Sequence, residues 1–257
     1  VSGSVTRTGV QGLPADVDTV VAFGAHPDDV DFGAAGTLAA LADAGAAITY
    51  VVMTAGDAGG FRDEDRGGIE GTRAAEQAAA GAVVGIREVI GWDEKDGALA
   101  PSAALEKDVV RVLRRLRPQL VLCPHPERDY ARLQRSHPDH LACGEIVTRA
   151  VYPALENPYA YPELLQEGLE AFRLHRLWYY GAPAERENHL VDVGPTLTRK
   201  IDAIMAHTSQ HPDPERTRTV VTAQLARLAA QAGWGEDRHA EAFHAVEVNG
   251  ADTIAGF

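Results

Sequence analysis

One histidine and three aspartates crowd the stretch "GAHPDDVDFGAAGT", residues 24–37, between an apolar run and a run of small residues. At a strand-to-helix turn a glycine-rich loop would offer backbone N–H groups to phosphate, whereas "HPDD" offers acceptors. Clustered carboxylates repel an anion and attract a cation. His26 and Asp29 are close enough in sequence for one turn to aim both at a single metal. Two ligands bind weakly, so a third must come from another strand end. "RSHPDHLA", residues 135–142, offers it, with His137 and His140 sharing a first helical turn and Asp139 between them. A His–Asp–His set suits Zn²⁺ and leaves a coordination position for water, the catalytic pattern. Asp28 cannot easily share its neighbour's metal contact and is placed to accept a proton from that water. His137 sits where a helix N-terminus favours developing negative charge. Taken singly, "HPDD" also reads as an Asx turn or N-cap and "HPDH" as a plain helix start. Cys143, one turn beyond His140, reads as a buried thiol, with a fourth-ligand role as the alternative.

These residues need strands and helices to bring them together. "DTVVAFGA" (18–25), "AITYVVMT" (47–54) and "LVLCP" (120–124) are continuous apolar runs, as expected of strands covered on both faces, and "EVIGW" (88–92) is a shorter strand. Between them lie helical segments at 34–45, 69–85 and 102–119, then 137–155. The alternation implies an α/β fold with a Rossmann-like, doubly wound and mostly parallel sheet, in which both motifs fall at carboxyl ends of strands. "RLWYYGAP" (176–183) and "HLVDV" (189–193) read as late strands, and 196–210 and 216–233 as helices, giving a C-terminal α/β extension. The reading is a single domain over 1–257, with a polar leader at 1–18 and an insertion at 152–172 whose Pro- and Tyr-rich start suggests a lid.

The formal net charge of −13 argues against nucleic acid or an anionic membrane as partner, since both require clustered Lys and Arg. No run approaches the roughly 18 apolar residues of a membrane span, and the leader lacks the apolar core of an export signal. Two cysteines in buried-looking segments, Cys123 and Cys143, fit free thiols and a cytoplasmic location. A homo-oligomer is compatible with this composition.

With "AHPDD" and "SHPDH" paired in this way, and with "RPQLVLCP" before the second, the chain resembles the LmbE-like, or PIG-L, family of zinc-dependent N-acetylglucosaminyl de-N-acetylases. The late "VDVGPTLTRKIDAIMAHTSQ" is similar to the family's Lys–Ala–His–Ser-Gln pattern. The resemblance implies zinc, or another divalent transition metal, held by His26, Asp29 and His140, with Asp28 as general base. It implies that His137 faces the oxyanion or acts as acid, oriented by Asp139. Asp57, Arg73 and Asp96 match positions that hold substrate hydroxyls in relatives. Arg73 also reads as a surface ion pair with Glu76, and Asp57 and Asp96 as turn formers. His125 could rim the site, and His207 could approach the pocket or pack in the core. The implied substrate is a small amino sugar or glycoconjugate. Rival readings are an amidase cleaving a thiol–sugar conjugate, a metal-dependent phosphoesterase, and a metal-stabilised sugar-binding protein without catalysis.

Overall fold

Strands that are apolar at every position need cover on both faces. The computed structural model, which describes residues 10–60, 67–235 and 237–250, supplies that cover with one sheet between two helical layers. Its strands are β1 (Val10–Gln11), β2 (Thr19–Gly24), β3 (Ala47–Thr54), β4 (Glu88–Glu94), β5 (Leu120–Pro124), β6 (Arg176–Tyr180), β7 (His189–Asp192) and β8 (Ala240–Glu247). The helices are α1 (Asp29–Asp43), α2 (Ile69–Val84), α3 (Ala103–Leu116), α4 (Pro138–Arg149), α5 (Pro162–Gln166), α6 (Leu197–Ala206) and α7 (Pro214–Gln231).

The strand order is β1-β7-β8-β6-β5-β2-β3-β4. All neighbours pair in parallel except β8, which runs antiparallel to both β6 and β7. Successive residues of β2 point to opposite layers. Val20 and Ala22 pack with Leu38 of α1, Val84 of α2, Ile204 of α6 and Leu225 of α7. Val21 and Phe23 pack with Val109 and Leu113 of α3 and Ile146 of α4. From β2 the chain winds outward through β3 to β4, then returns to β5 on the other side of β2. The crevice between the ends of β2 and β5 is therefore the topological switch point, where such sheets bind ligands.

Helix α1 starts earlier than its small-residue run suggests, at Asp29 itself, and Gly45 (φ 98°) terminates it in the left-handed conformation glycine favours. Two of its glycines admit close neighbours. A Cβ on Gly33 would lie 2.3 Å from the Tyr180 ring, and one on Gly36 would meet Val193 at 2.8 Å. Beside them lies a buried ion pair, Lys200 Nζ to Glu241 Oε1 at 2.7 Å. Lys200 also donates to the carbonyls of Asp31 and Phe32, while Glu241 accepts from the N–H groups of Gly36 and Thr37. The pair thus straddles one turn of α1 and ties it to α6 and β8.

Several expectations change. Residues 1–9 of the leader lie outside the described residues, but Val10–Gln11 pair with β7 as strand β1. Strand β8 was not anticipated as a sheet member. The helix expected over 196–210 ends at Ala206, where His207 leads into a short 3₁₀ turn. Segment 152–172 is seated against α3 rather than over the strand ends. Leu155 and Leu164 are fully buried, Arg114 donates to the carbonyls of Ala154 and Asn157, and Arg111 binds Glu167. None of its residues lines the pocket described below, which corrects the lid reading.

Candidate active site

The end of β2 and the N-terminus of α4 meet at the switch point. Gly144 lets α4 press against the exit of β5, since a Cβ there would fall 2.3 Å from the Pro124 carbonyl oxygen. That contact brings His137, Asp139 and His140 beside His26. The ring centroids of His137 and His140 are 4.9 and 5.2 Å from that of His26.

Asp29 Oδ2 accepts the N–H groups of Ala25 and His26, both at 2.8 Å, which fixes the carboxylate. Its Oδ1 lies 2.9 Å from His140 Nε2, and its Oδ2 lies 3.5 Å from His26 Nδ1. The opposite edge of His26 faces carboxylates: Nε2 is 3.1 Å from Asp96 Oδ1 and 3.2 Å from Asp139 Oδ2. Asp139 is held in turn by the N–H groups of Gly97 and Leu99. Its side chain therefore orients His26 and not His137, contrary to the role expected from sequence. His137 receives the backbone N–H of Asp139 at Nδ1, 3.3 Å, so the neutral ring carries its proton on Nε2.

The electrostatics separate the neighbouring aspartates. Burial disfavours charge on Asp29, but His140 and His26 outweigh it and hold the carboxyl well below its usual range. Burial and the charge of Asp29 raise Asp28 to about 7, with Arg73 offsetting part of the effect. Burial also disfavours charge on His26, yet Asp29 and Asp96 lift that ring to about 11. His137 moves the other way, lowered by burial and by the charges of His26 and His140.

This donor set suits a dication. Two imidazoles and the Asp29 carboxylate converge, and Asp28, Asp96 and Asp139 surround them, with Arg73 the permanent cation in contact. Two tight groupings of candidate ligand atoms occur among the described residues, His26–His137–His140 and His26–Asp96–Asp139. The second shares His26 with the first, and both Asp139 oxygens already accept N–H groups. It is better read as support for His26 than as a second metal position. Cys143 lies buried in the core beside Val147, its thiol pushed up by burial, away from a ligand role.

The remaining sequence candidates divide. Arg73 is buried in the site and not paired with Glu76 at the surface. It donates to the carbonyls of Pro27 and Gly56 and lies 3.6 Å from Asp28 Oδ1 and 3.8 Å from Asp96 Oδ2. Asp96 lines the pocket, whereas Asp57 does not. Asp57 binds Lys95 and the N–H of Asp96, bracing the loop that presents Asp96. His125 turns away to pair with His244 at 2.9 Å. His207 is fully buried, with Nε2 on Asp31.

Sequence reasoning missed Gln77, Tyr180 and the Lys200–Glu241 pair, and the wall formed by α7. The pocket measures about 980 Å³. Val221, Gln224, Leu225, Leu228 and Gln231 line it along one face of α7, and Arg132 and Arg135 lie at its edge. The 3.6-residue spacing of the α7 set was visible in sequence, but which side of the sheet it faced was not.

Comparison with known proteins points to one family. Residues 21–151 match the PIG-L family, described as GlcNAc-PI de-N-acetylase. The chain is 30% identical over 200 residues to the diacetylchitobiose deacetylase of Thermococcus kodakarensis, covering 77% of this chain and 72% of that one. It is 28% identical to a probable N-acetyl-alpha-D-glucosaminyl L-malate deacetylase 2 of Bacillus anthracis, over 72% of this chain and 78% of that protein. The solved structure of the N,N'-diacetylchitobiose deacetylase from Pyrococcus horikoshii, complexed with its inhibitor MPG, superposes with a TM-score of 0.81. The identity is 26%, over 90% of this chain and 85% of that one. Among the described residues no helix is long and apolar enough to cross a membrane.

Proposed function

The chain belongs to the PIG-L family, and on that premise we propose that it is a zinc-dependent hydrolase removing the N-acetyl group from an N-acetylglucosamine-type unit. His26, Asp29 and His140 would hold the ion. Asp29 is preferred over His137 as the third ligand because it touches both other residues and neutralises charge. Bound there, zinc supplies Lewis acidity toward the amide carbonyl and toward a water molecule.

The rest is done by the chain. Asp28, raised to about 7, takes the proton of the attacking water and can return it to the departing amine. His137 turns an Nε2–H toward the pocket and, as a neutral imidazole, offers the developing oxyanion a hydrogen bond. Arg73 and Asp96 present a donor and an acceptor to the sugar hydroxyls, while Asp57 braces the Asp96 loop. The pocket exceeds the volume of one sugar. Its α7 wall runs about 15 Å, at ~1.5 Å per helical residue, which supports an elongated conjugate as substrate.

The observation that carries this reading is that Asp28 and Asp29 have different partners: Asp29 lies against His140 and two backbone N–H groups, as a ligand would, and Asp28 turns away toward Arg73, as a base would. Acetate release and free-amine formation from N-acetylglucosamine conjugates by the zinc-loaded protein test it. Failure with all of them, short and long, would refute the reading. We assign the protein to the cytoplasm, a location supported by two buried thiols that form no disulfide.

A further inference from the structure

Asp28 has a backbone that an aspartate adopts only under constraint. Its φ of 99° and ψ of −26° lie in the left-handed region, which is strained for a residue with a Cβ. The conformation matters because it lets two adjacent carboxylates part company. Asp29 folds back onto the N–H groups of Ala25 and His26, and Asp28 points elsewhere, toward Arg73.

The structure shows what holds this conformation. Arg73 and Gln77 lie one turn apart on α2, both buried. Arg73 Nη2 donates to the carbonyl of Pro27 at 2.6 Å. Gln77 Oε1 accepts the N–H of Asp28 at 2.9 Å. These are the two ends of a single peptide group, so one helix grips the Pro27–Asp28 peptide plane from both sides. Gln77 is itself fixed, because its Nε2 donates to Asp31 Oδ2 at 2.8 Å, and that oxygen also meets His207 Nε2 at 2.9 Å. The Asp31 contact settles which way the amide faces: nitrogen to the carboxylate, oxygen to Asp28. A connected series thus runs from the end of α6 through α1 to α2 and back to the base.

We propose that Gln77 is a positioning residue for Asp28: it locks the peptide that aims the carboxylate, and His207 and Asp31 lock Gln77. The proposal rests on the reading of Asp28 as the base. It assigns a catalytic consequence to a buried amide that touches neither substrate nor metal. It also explains why the His of "MAHTSQ" is buried behind the site rather than lining it.

The test compares Gln77→Met, which keeps the length of the side chain but removes both hydrogen bonds, with the double variant Gln77→Glu plus Asp31→Asn. In the double variant the two functional groups change places. The introduced amide donates from its nitrogen both to the introduced carboxylate and to His207 Nε2, whose neutral ring then carries its proton on Nδ1, and the carboxylate accepts the N–H of Asp28. Gln77→Met should lower kcat at least ten-fold with KM and zinc content within about two-fold of wild type, and its crystal structure should show Asp28 with negative φ. The double variant should recover kcat to within about three-fold and restore the positive φ. Full kcat and an unchanged Asp28 backbone in Gln77→Met would overturn the proposal. So would a double variant that folds and binds zinc but remains ten-fold impaired. The crystallographic readout needs no substrate. If wild-type protein released no acetate at all, the deacetylase reading would fail while the backbone clamp was still judged separately.

Discussion

Asp139 Oδ2 lies 3.2 Å from His26 Nε2 and accepts the Gly97 N–H, while Oδ1 accepts the Leu99 N–H, so the acid of one motif orients the histidine of the other. A carboxylate on the far nitrogen fixes ring orientation and raises ligand basicity, and losing such a partner typically lowers metal affinity about 10–100-fold. Asp139→Asn should therefore fold and still bind zinc, with affinity weakened by that factor in a competitive chelator titration. His140→Ala should lose most of its zinc outright. Unchanged affinity in Asp139→Asn would remove the orienting role.

The buried Lys200–Glu241 pair ties α1 to α6 and β8. Removing one partner of a buried ion pair typically costs about 3–5 kcal/mol, because the other charge stays buried without compensation. Lys200→Met should lower the urea midpoint accordingly, and adding Glu241→Gln should recover part of the loss. A single variant within about 1 kcal/mol of wild type would show that α1 does not depend on the pair.

His125 gives a pH dependence whose sign follows from its hydrogen bonds. Nδ1 accepts the N–H of Glu127, so the neutral ring donates from Nε2 to His244 Nδ1. Burial and the nearby His244 lower His125 from 6.5 to about 4, against a weaker opposing pull from Glu127. Between those values the unfolded chain binds a proton that the folded chain does not, so stability rises with pH. The contribution is complete above about pH 6.5 and is lost as pH falls toward about 4. Denaturant curves of wild type and His125→Gln should show a gap at pH 7.5 that narrows by on the order of 2 kcal/mol at pH 4.5. A constant gap would mean that the pair does not titrate in this window.

The α7 wall predicts a selective effect on substrates. Leu228 faces the pocket well along the helix from Val221. Losing about 1 kcal/mol of apolar contact corresponds to roughly five-fold in affinity. Leu228→Ala should raise KM about that much for conjugates with a long apolar aglycone and leave N-acetylglucosamine itself unchanged. Equal effects on both would place the aglycone elsewhere.

Much of this was legible because the informative residues are neighbours in sequence. "TVVAFG" and "LVLCP" are apolar throughout and so had to lie inside a covered sheet, which set both His/Asp motifs at strand ends. Strand β8 was harder to read. "AEAFHAVE" carries Glu241 at a position that is buried only because Lys200 from another element neutralises it. Gln77 is a polar residue in an alanine-rich helix, with nothing local to mark its contact with Asp28. Segment 152–172 shows the reverse error. Its Pro and Tyr content signalled irregular backbone, but Leu155 and Leu164 decided which surface it covers, and they anchor it to α3.

The sharpest test separates two adjacent and chemically identical side chains. Asp29 is committed by geometry, with one oxygen on two backbone N–H groups and the other on His140. Asp28 has no such ligand partners, and a carboxyl near 7 can both take and return a proton close to neutral pH. Asp28→Asn preserves volume but cannot accept that proton, and loss of general-base help costs on the order of 10²–10⁴ in rate. The variant should keep its zinc, fold and KM and lose kcat by that factor, whereas Asp29→Asn should lose metal first. If Asp28→Asn shed its zinc, or turned over near the wild-type rate, the two roles would have to be exchanged, and the left-handed backbone at Asp28 would need another reason to exist.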